Sequence, residues 1–412
     1  MQPRSSPTGV SAPRLASARQ WERTVASDFL MWRDTQTSRS RARLESVCAA
    51  VGVTLDWWLA RGQVAADAVA RQLPATLTGC DQLAFTDTSE AMAYLVLHLA
   101  DRYGRITQAL ELLLGEGWLP IRRSRMAVLD VGGGPAPGLY AAVDLYDDLA
   151  AWAASTGQPV SPARVSGAHA LDRGAAWDQL LHHFSEHLLG VRQILPGELP
   201  ARLPFRRHHA ELGGFSVLGA HYAERARIQR AISREYDLAD DSISSSMAWQ
   251  LAYQEPTDAP SAYELIVMCN FLTNTTMTHD LRAELAGLAR SLTSGGVLLV
   301  LGATGGGYPA IYAAVNELAT TTGLRPLPAV SRQLEANPDP ALRDLIATQV
   351  RAAVSDIGSV ASPELWAKVE RKLRRFVPDA VDHDLPFTMP QFQILAFRRV
   401  LSPRRRSRQQ DH

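Results

Sequence analysis

Val128-Leu-Asp-Val-Gly-Gly-Gly-Pro-Ala-Pro-Gly138 is the stretch that decides the fold. Met126 to Asp130 has the apolar run of a buried strand, the glycines let the backbone turn tightly, and an apolar-faced helix follows from Leu139 to Ser155. Strand, glycine turn and helix N-terminus in this order aim amide N–H groups at a polar or anionic ligand, which is how nucleotide-binding α/β units begin.

Working outward, a Gly/Pro stretch at 157–162 closes that helix, and Val165 to Leu171 reads as a second strand ending in Asp172. A carboxylate at that strand tip can accept both hydroxyls of a ribose; a helix-start acid stabilised by the macrodipole is the simpler alternative. A helix follows from about Gly174 to Leu189. Pro196, Pro200 and Pro204 then break the chain, Ala220 to Tyr236 reads as a charged amphipathic helix, and a third strand is expected near Trp249 to Tyr253. Leu265-Ile-Val-Met-Cys-Asn270 has the unbroken apolar character of a central parallel strand. After a helix from Thr278 to Ser291 and Ser294-Gly-Gly296, Val297 to Leu301 is the next buried strand, and Gly302 to Gly307 forms a second glycine turn before a helix from Tyr308 to Thr322. Residues 338–378 carry two amphipathic helices, and Gln391 to Val400 alternates like a half-exposed final strand.

Before the glycine stretch, residues 21–118 recur at three- and four-residue spacing and read as an all-helical N-terminal domain. Residues 1–20, rich in Pro, Ser and Arg, read as a disordered tail with a superficial likeness to a transit peptide, and 402–412 as a basic disordered tail. The domain expectation is therefore a helical unit at 21–118 and an α/β unit at 119–401 with a helical insertion at about 338–378.

Composition removes several chemistries. The chain has 412 residues, 46% hydrophobic and 20% charged, and its 42 basic residues balance 42 acidic ones, so no global field gathers polyanions. Lys368 and Lys372 are the only lysines, which excludes a Walker lysine, a kinase strand lysine and a Ser-x-x-Lys nucleophile near the glycine turn. Cys48, Cys80 and Cys269 share no metal-ligand or disulfide spacing; a reducing, cytoplasmic setting is expected. No run reaches the roughly 18 apolar residues of a membrane span. His183-x-x-Glu186-His187 matches an inverted zinc-peptidase pattern, but no downstream glutamate partners it and no metal site is expected. A nicotinamide oxidoreductase would want Gly-x-Gly-x-x-Gly and a Tyr/Lys pair, and the chain has neither.

The segment 128–138 resembles motif I of class I S-adenosylmethionine-dependent methyltransferases, Asp172 their acidic motif II residue, Glu264 to Asn270 their motif IV strand, and Leu292-Thr-Ser-Gly-Gly-Val-Leu-Leu-Val300 their helix, Gly-Gly, strand segment. The four likenesses fall in order across about 126–322. A narrower similarity, carried by Met92-Ala-Tyr-Leu, Leu99-Ala-Asp-Arg-Tyr-Gly104 and Gly302 to Tyr308, is to the Rsm-type small-ribosomal-subunit methyltransferase-like family, whose late cysteines have no counterpart after Cys269. The resemblance implies an α/β, Rossmann-like seven-stranded sheet with an antiparallel last strand, for which Gln391 to Val400 is the candidate. It implies S-adenosyl-L-methionine as cofactor, with Asp130, Gly132, Gly134 and Gly138 along its methionine side, Asp172 at the ribose, and Asn270 and Phe271 offering backbone contacts beneath the sulfonium.

Methyl transfer needs alignment and exclusion of water more than any obligatory side chain, so no catalytic residue is assigned. His279 and the loops beside Asn270 are candidates for a base. The acceptor is expected to be a small molecule, bound by the N-terminal helices and those at 338–378, with Trp57, Trp58, Tyr308 and Tyr312 able to stack on it. Methylation of rRNA or a ribosomal component is the runner-up, although the neutral charge weighs against nucleic acid. A non-methylating elimination or cyclisation on the same scaffold, and a homo- or hetero-dimer, stay open.

Overall fold

The structure is a computed structural model that describes residues 12–79, 83–122, 126–157, 162–194, 205–209, 212, 263–375 and 391–400. Its strands are β1 (Met126–Val131), β2 (Val165–Asp172), β3 (Phe205–His209), β4 (Tyr263–Cys269), β5 (Leu292–Ala303), β6 (Leu324–Pro326), β7 (Gln333–Glu335) and β8 (Gln391–Arg399). They form one sheet in the order β3-β2-β1-β4-β5-β8-β6, with β7 paired to β8 off that path. The pairs from β3 to β5 are parallel; β8 runs antiparallel to β5, β6 and β7. Gln393 is opposite both Gly302 of β5 and Gln333 of β7, so β6 and β7 share the outer edge of β8. The seven-strand path has the α/β order with an antiparallel last strand that the resemblance implied, and the short β7 adds an eighth strand to the sheet.

The helices are α1 (Ala12–Thr35), α2 (Thr37–Leu59), α3 (Gln63–Gly79), α4 (Thr88–Gly115), α5 (Pro137–Ser155), α6 (Ala176–Ile194), α7 (Thr275–Asp280), α8 (Arg282–Ser291), α9 (Tyr308–Thr321), α10 (Pro340–Val360) and α11 (Pro363–Arg375). The two-residue period of the strands divides the core between the sheet faces. Val128, Leu265, Val267, Val297 and Leu299 face the cluster built with α1 to α6, α10 and α11. Leu129, Ile266, Met268, Leu298 and Val300 face the cluster built with α8 and α9. The helices that precede the glycine stretch therefore share a continuous core with one face of the sheet.

An ion network also joins those helices. Asp144 and Asp148, one turn apart on α5, are 1% and 0% exposed. Arg192 of α6 grips Asp144 with two bonds of 2.9 and 2.7 Å, Tyr103 of α4 donates to it at 2.7 Å, and Arg43 of α2 reaches Asp144 and Asp148 at 3.2 Å each. Arg39 completes Asp148 at 2.6 Å, and Arg33 of α1 lies 3.4 Å from it. Burial alone would raise the Asp144 carboxyl, but Arg192 and Arg43 outweigh that and hold it below the ordinary aspartate value.

Two elements differ from the sequence reading. Helix α1 begins at Ala12, inside the stretch expected as tail; Pro13 falls in its first turn, where a missing N–H costs nothing, and the Ala and Leu residues of its next turns favour helix. The sheet's third parallel strand is β3, after Pro204, whose Phe-Arg-Arg-His-His sequence lacks the apolar run of a central strand because it sits at the sheet edge. The strand expected at 249–253, the helix expected at 220–236 and the basic tail at 402–412 lie outside the described residues.

Candidate functional site

The turn after β1 is built from backbone that ordinary residues resist. Gly132 and Gly134 take φ of 62° and 51°, and Ala136 takes 60°. Left-handed backbone costs a non-glycine residue on the order of 1–3 kcal/mol, so Ala136 holds stored strain at the start of α5. A Cβ on Gly132 would stand 2.1 Å from Cδ2 of Phe271, so only glycine fits beneath that ring. Gly132→Ala is expected to weaken ligand binding at the loop and to cost about 1–3 kcal/mol of stability, read by urea unfolding; an unchanged unfolding midpoint would show that the loop relaxes freely.

Asp130 anchors the turn from below. It is fully buried, Oδ2 accepts the Gly138 N–H at 2.8 Å, and Oδ1 has no partner among the described residues. Burial pushes its carboxyl up to about 7, against the pull of the Gly138 amide and with a small push from Asp172. Gly133 and Gly138 leave room for it, since a Cβ on either would come within 2.7 Å of the carboxylate.

Asp172 ends β2 facing the turn. Its Oδ2 accepts the Gly134 N–H at 2.9 Å and its Oδ1 the Gly174 N–H at 2.7 Å. An ionised carboxylate offers about four lone-pair sites, so two stay free for hydroxyl donors. Asn270, at the C-terminal end of β4, takes a left-handed φ of 53°, donates its backbone N–H to Leu301 O at 2.8 Å and its side-chain Nδ2–H to Tyr308 Oη at 3.3 Å. That strained corner turns Phe271 over Gly132.

Gly132, Gly134, Asp172, Asn270 and Phe271 line one cavity of about 130 Å³. Asp130 and Gly138 are not on its wall; they brace the turn from the protein side. The rest of the wall comes from Leu83 and Phe85, Tyr94 on α4, Val131 on β1, Leu171 and Arg173, Trp177 on α6, Leu212, Thr273, Met277 and Leu281. Phe85, Tyr94 and Trp177 form a packed aromatic group with ring centroids 5.2 to 5.8 Å apart, and Trp177 Nε1 is buried without a partner among the described residues.

The other candidate residues lie elsewhere. His279 is exposed on α7, off the cavity wall, although Met277 and Leu281 flank it in sequence. None of the described wall residues belongs to α10 or α11, so the acceptor contacts expected from 338–378 are not found there, while the N-terminal segment contributes Leu83, Phe85 and Tyr94. Trp57 stacks on His183 with centroids 3.8 Å apart, and Arg61 lies over Trp57 and Trp58. His187 Nδ1 bonds Thr54 Oγ1 at 2.9 Å, which commits one ring nitrogen of the His-x-x-Glu-His pattern, and no group of three metal ligands occurs among the described residues. Tyr308 and Tyr312 close over Gly302, with Tyr312 donating to Ala303 O at 2.5 Å. The signals for the aromatic wall were weak in sequence, except that Trp177 follows Asp172 by a single turn-length of chain.

No family model matches the chain, and no curated protein matches it. Among solved structures it is similar to magnesium protoporphyrin IX methyltransferase of Synechocystis with bound S-adenosylmethionine, at 9% identity over 81% of this chain and 97% of that one, TM-score 0.34. It is similar to the cyclopropane synthase of Mycobacterium tuberculosis at 15% identity over 72% and 83%, TM-score 0.34. A third likeness is to phosphoethanolamine N-methyltransferase 2 of Haemonchus contortus with S-adenosylhomocysteine, at 13% identity over 78% and 61%, TM-score 0.33. Likenesses this distant carry no functional argument, and the fold rests on the strand order and register of the sheet itself.

Proposed function

We propose that the chain binds S-adenosyl-L-methionine in the cavity between the β1 turn, Asp172 and Phe271 and transfers its methyl group to a small-molecule acceptor. The observation that carries this reading is Asp172. Its carboxylate stands at the tip of the strand beside β1, oriented by the Gly134 and Gly174 amides with lone pairs left for two ribose hydroxyls. The residues fit the cofactor: Gly132 and Gly134 keep the backbone open, and the Trp177 indole N–H is a spare buried donor on the wall. When bound, the cofactor supplies an electrophilic methyl on a sulfonium.

The chain's own part is to hold, orient and keep dry. Asp172 fixes the sugar end, the positive-φ corner at Asn270 places the backbone and ring of Phe271 against the β1 turn, and the Phe85, Tyr94 and Trp177 rings exclude water beside it. Among the described wall residues the titratable groups are Tyr94, Asp172 and Arg173, and Asp172 is taken up by the two amides and the sugar hydroxyls. An acceptor that reacts here without a side-chain base ionises near neutral pH by itself or loses its proton to solvent. With Arg173 the one basic residue among the described wall residues, the cavity suits a small acceptor better than a polyanionic RNA.

Calorimetric titration of S-adenosylmethionine and S-adenosylhomocysteine, with NADH as comparison, tests the reading. Asp172→Ala is expected to weaken adenosyl-ligand binding at least tenfold, about 1.4 kcal/mol. Equal affinity in wild type and variant, or binding of NADH alone, would overturn it.

A further inference from the structure

Both lysines of the 412-residue chain lie on α11, at positions 368 and 372, one helical turn apart. Leu365, Val369 and Leu373, at four-residue spacing, face the core, with Val369 and Leu373 4% and 3% exposed. The helical period places Lys368, Arg371 and Lys372 together on the flank beside that apolar seam, and all three are exposed. Glu370 and its partner Arg374, paired at 2.7 Å, occupy the other flank, and Glu364 in the first turn precedes Lys368 by four residues.

The cationic flank faces α3. Lys368, Arg371 and Lys372 line a recess of about 420 Å³ with Arg71, over a floor of Pro74, Leu365 and Val369, and no acid among the described residues lines it. Of the carboxylates nearby, Asp67 accepts the Ser362 N–H at 2.7 Å and the Ser362 hydroxyl at 3.0 Å and reaches Arg71 only at 3.8 Å, while Glu364, one turn before Lys368, makes no ion pair with it among the described residues. Among the described residues no ion pair involves Lys368, Arg371 or Lys372. Four like charges converging on one recess repel one another, a cost that an anion in their midst reverses. None of these residues lines the cavity beside Asp172.

We propose that the recess between α3 and α11 is a second binding site, taking a small phosphorylated molecule with two or more negative charges. The lysine ammoniums serve as point charges and the arginine forks as bidentate donors to phosphate oxygens, while Pro74, Leu365 and Val369 carry the ligand's organic body. The cations cluster on about one turn of helix and one facing arginine, a compact footprint that suits a diphosphate rather than an extended polyanion track. The chain's balanced charge likewise supplies no long-range field for a polymer.

The unusual lysine count makes the test direct, because an amine-selective acetylating reagent can modify only Lys368, Lys372 and the α-amino group. The full chain is acetylated with and without inorganic pyrophosphate at matched ionic strength, and each site is read by mass spectrometry. Pyrophosphate at about 1 mM or below is expected to slow labelling of both lysines about tenfold and leave the α-amino group unaffected, and Arg71→Gln or Arg371→Gln is expected to raise the protecting concentration about tenfold. Three outcomes would overturn the proposal: no protection by pyrophosphate, protection by phosphatidylglycerol vesicles alone, or protection by a single-stranded oligonucleotide at lower phosphate concentration than pyrophosphate. The first denies an anion site, the second assigns it to a membrane surface, and the third to nucleic acid. Adenosyl-ligand binding measured in the same samples keeps this result separate from the reading of the Asp172 cavity.

Discussion

Asp144→Ala is expected to destabilise the protein by about 3–5 kcal/mol, because it strands the Arg43 and Arg192 guanidiniums without their shared carboxylate inside the helical layer. Tyr103 loses its acceptor in the same step. Domains are stable by only about 5–15 kcal/mol, so the variant stands near the edge of folding. Asp144→Asn keeps the shape and is expected to cost less. Acid should act on the same network. Because Arg192 and Arg43 hold the folded carboxyl below its unfolded value, the stabilisation is present above about pH 3.9 and is lost as pH falls through the depressed folded value. Urea unfolding at neutral pH checks the first result; an Asp144→Ala midpoint equal to wild type would show that the network contributes nothing.

Asp130 predicts the opposite slope. Its carboxyl, pushed up to about 7 by burial, binds a proton in the folded chain where the unfolded chain has released it. Stability from this group is therefore fully present below about pH 3.9 and lost as pH rises to about 7, a total on the order of 4 kcal/mol. Asp130→Asn keeps an oxygen for the Gly138 N–H and has nothing to titrate. The difference in unfolding free energy between variant and wild type is expected to move in favour of the variant from pH 5 to pH 8. A difference that stays constant across that window would mean that Asp130 remains ionised throughout.

The opposed slopes come from positions of unequal legibility. Asp130 stands out in sequence because a strand end and three glycines surround it. Asp144 and Asp148 do not: at four-residue spacing they look like the polar face of an amphipathic helix, and it takes α1, α2, α4 and α6 packing against that face to bury them. The same contrast runs through the sheet. Central strands β1, β4 and β5 are legible because burial on both faces demands unbroken apolar runs. Edge strand β3 and the three-residue β6 and β7 are not, since pairing at an edge imposes little on side-chain type. In the cavity, the turn and Asp172 are local and readable, whereas Phe85, Tyr94 and Trp177 meet only after α4 and α6 pack.

The position of β8 has a consequence for biosynthesis. It is made long after β5, yet it lies between β5 and β6 in the finished sheet. At roughly 5–20 residues per second a ribosome spends about 5–20 seconds between the two strands, during which β5 carries an open hydrogen-bonding edge. Through that interval the nascent chain offers a template to any passing strand, and β6 and β7 have nothing to dock on. Chaperone dependence during translation should therefore concentrate in the window between emergence of β5 and emergence of β8.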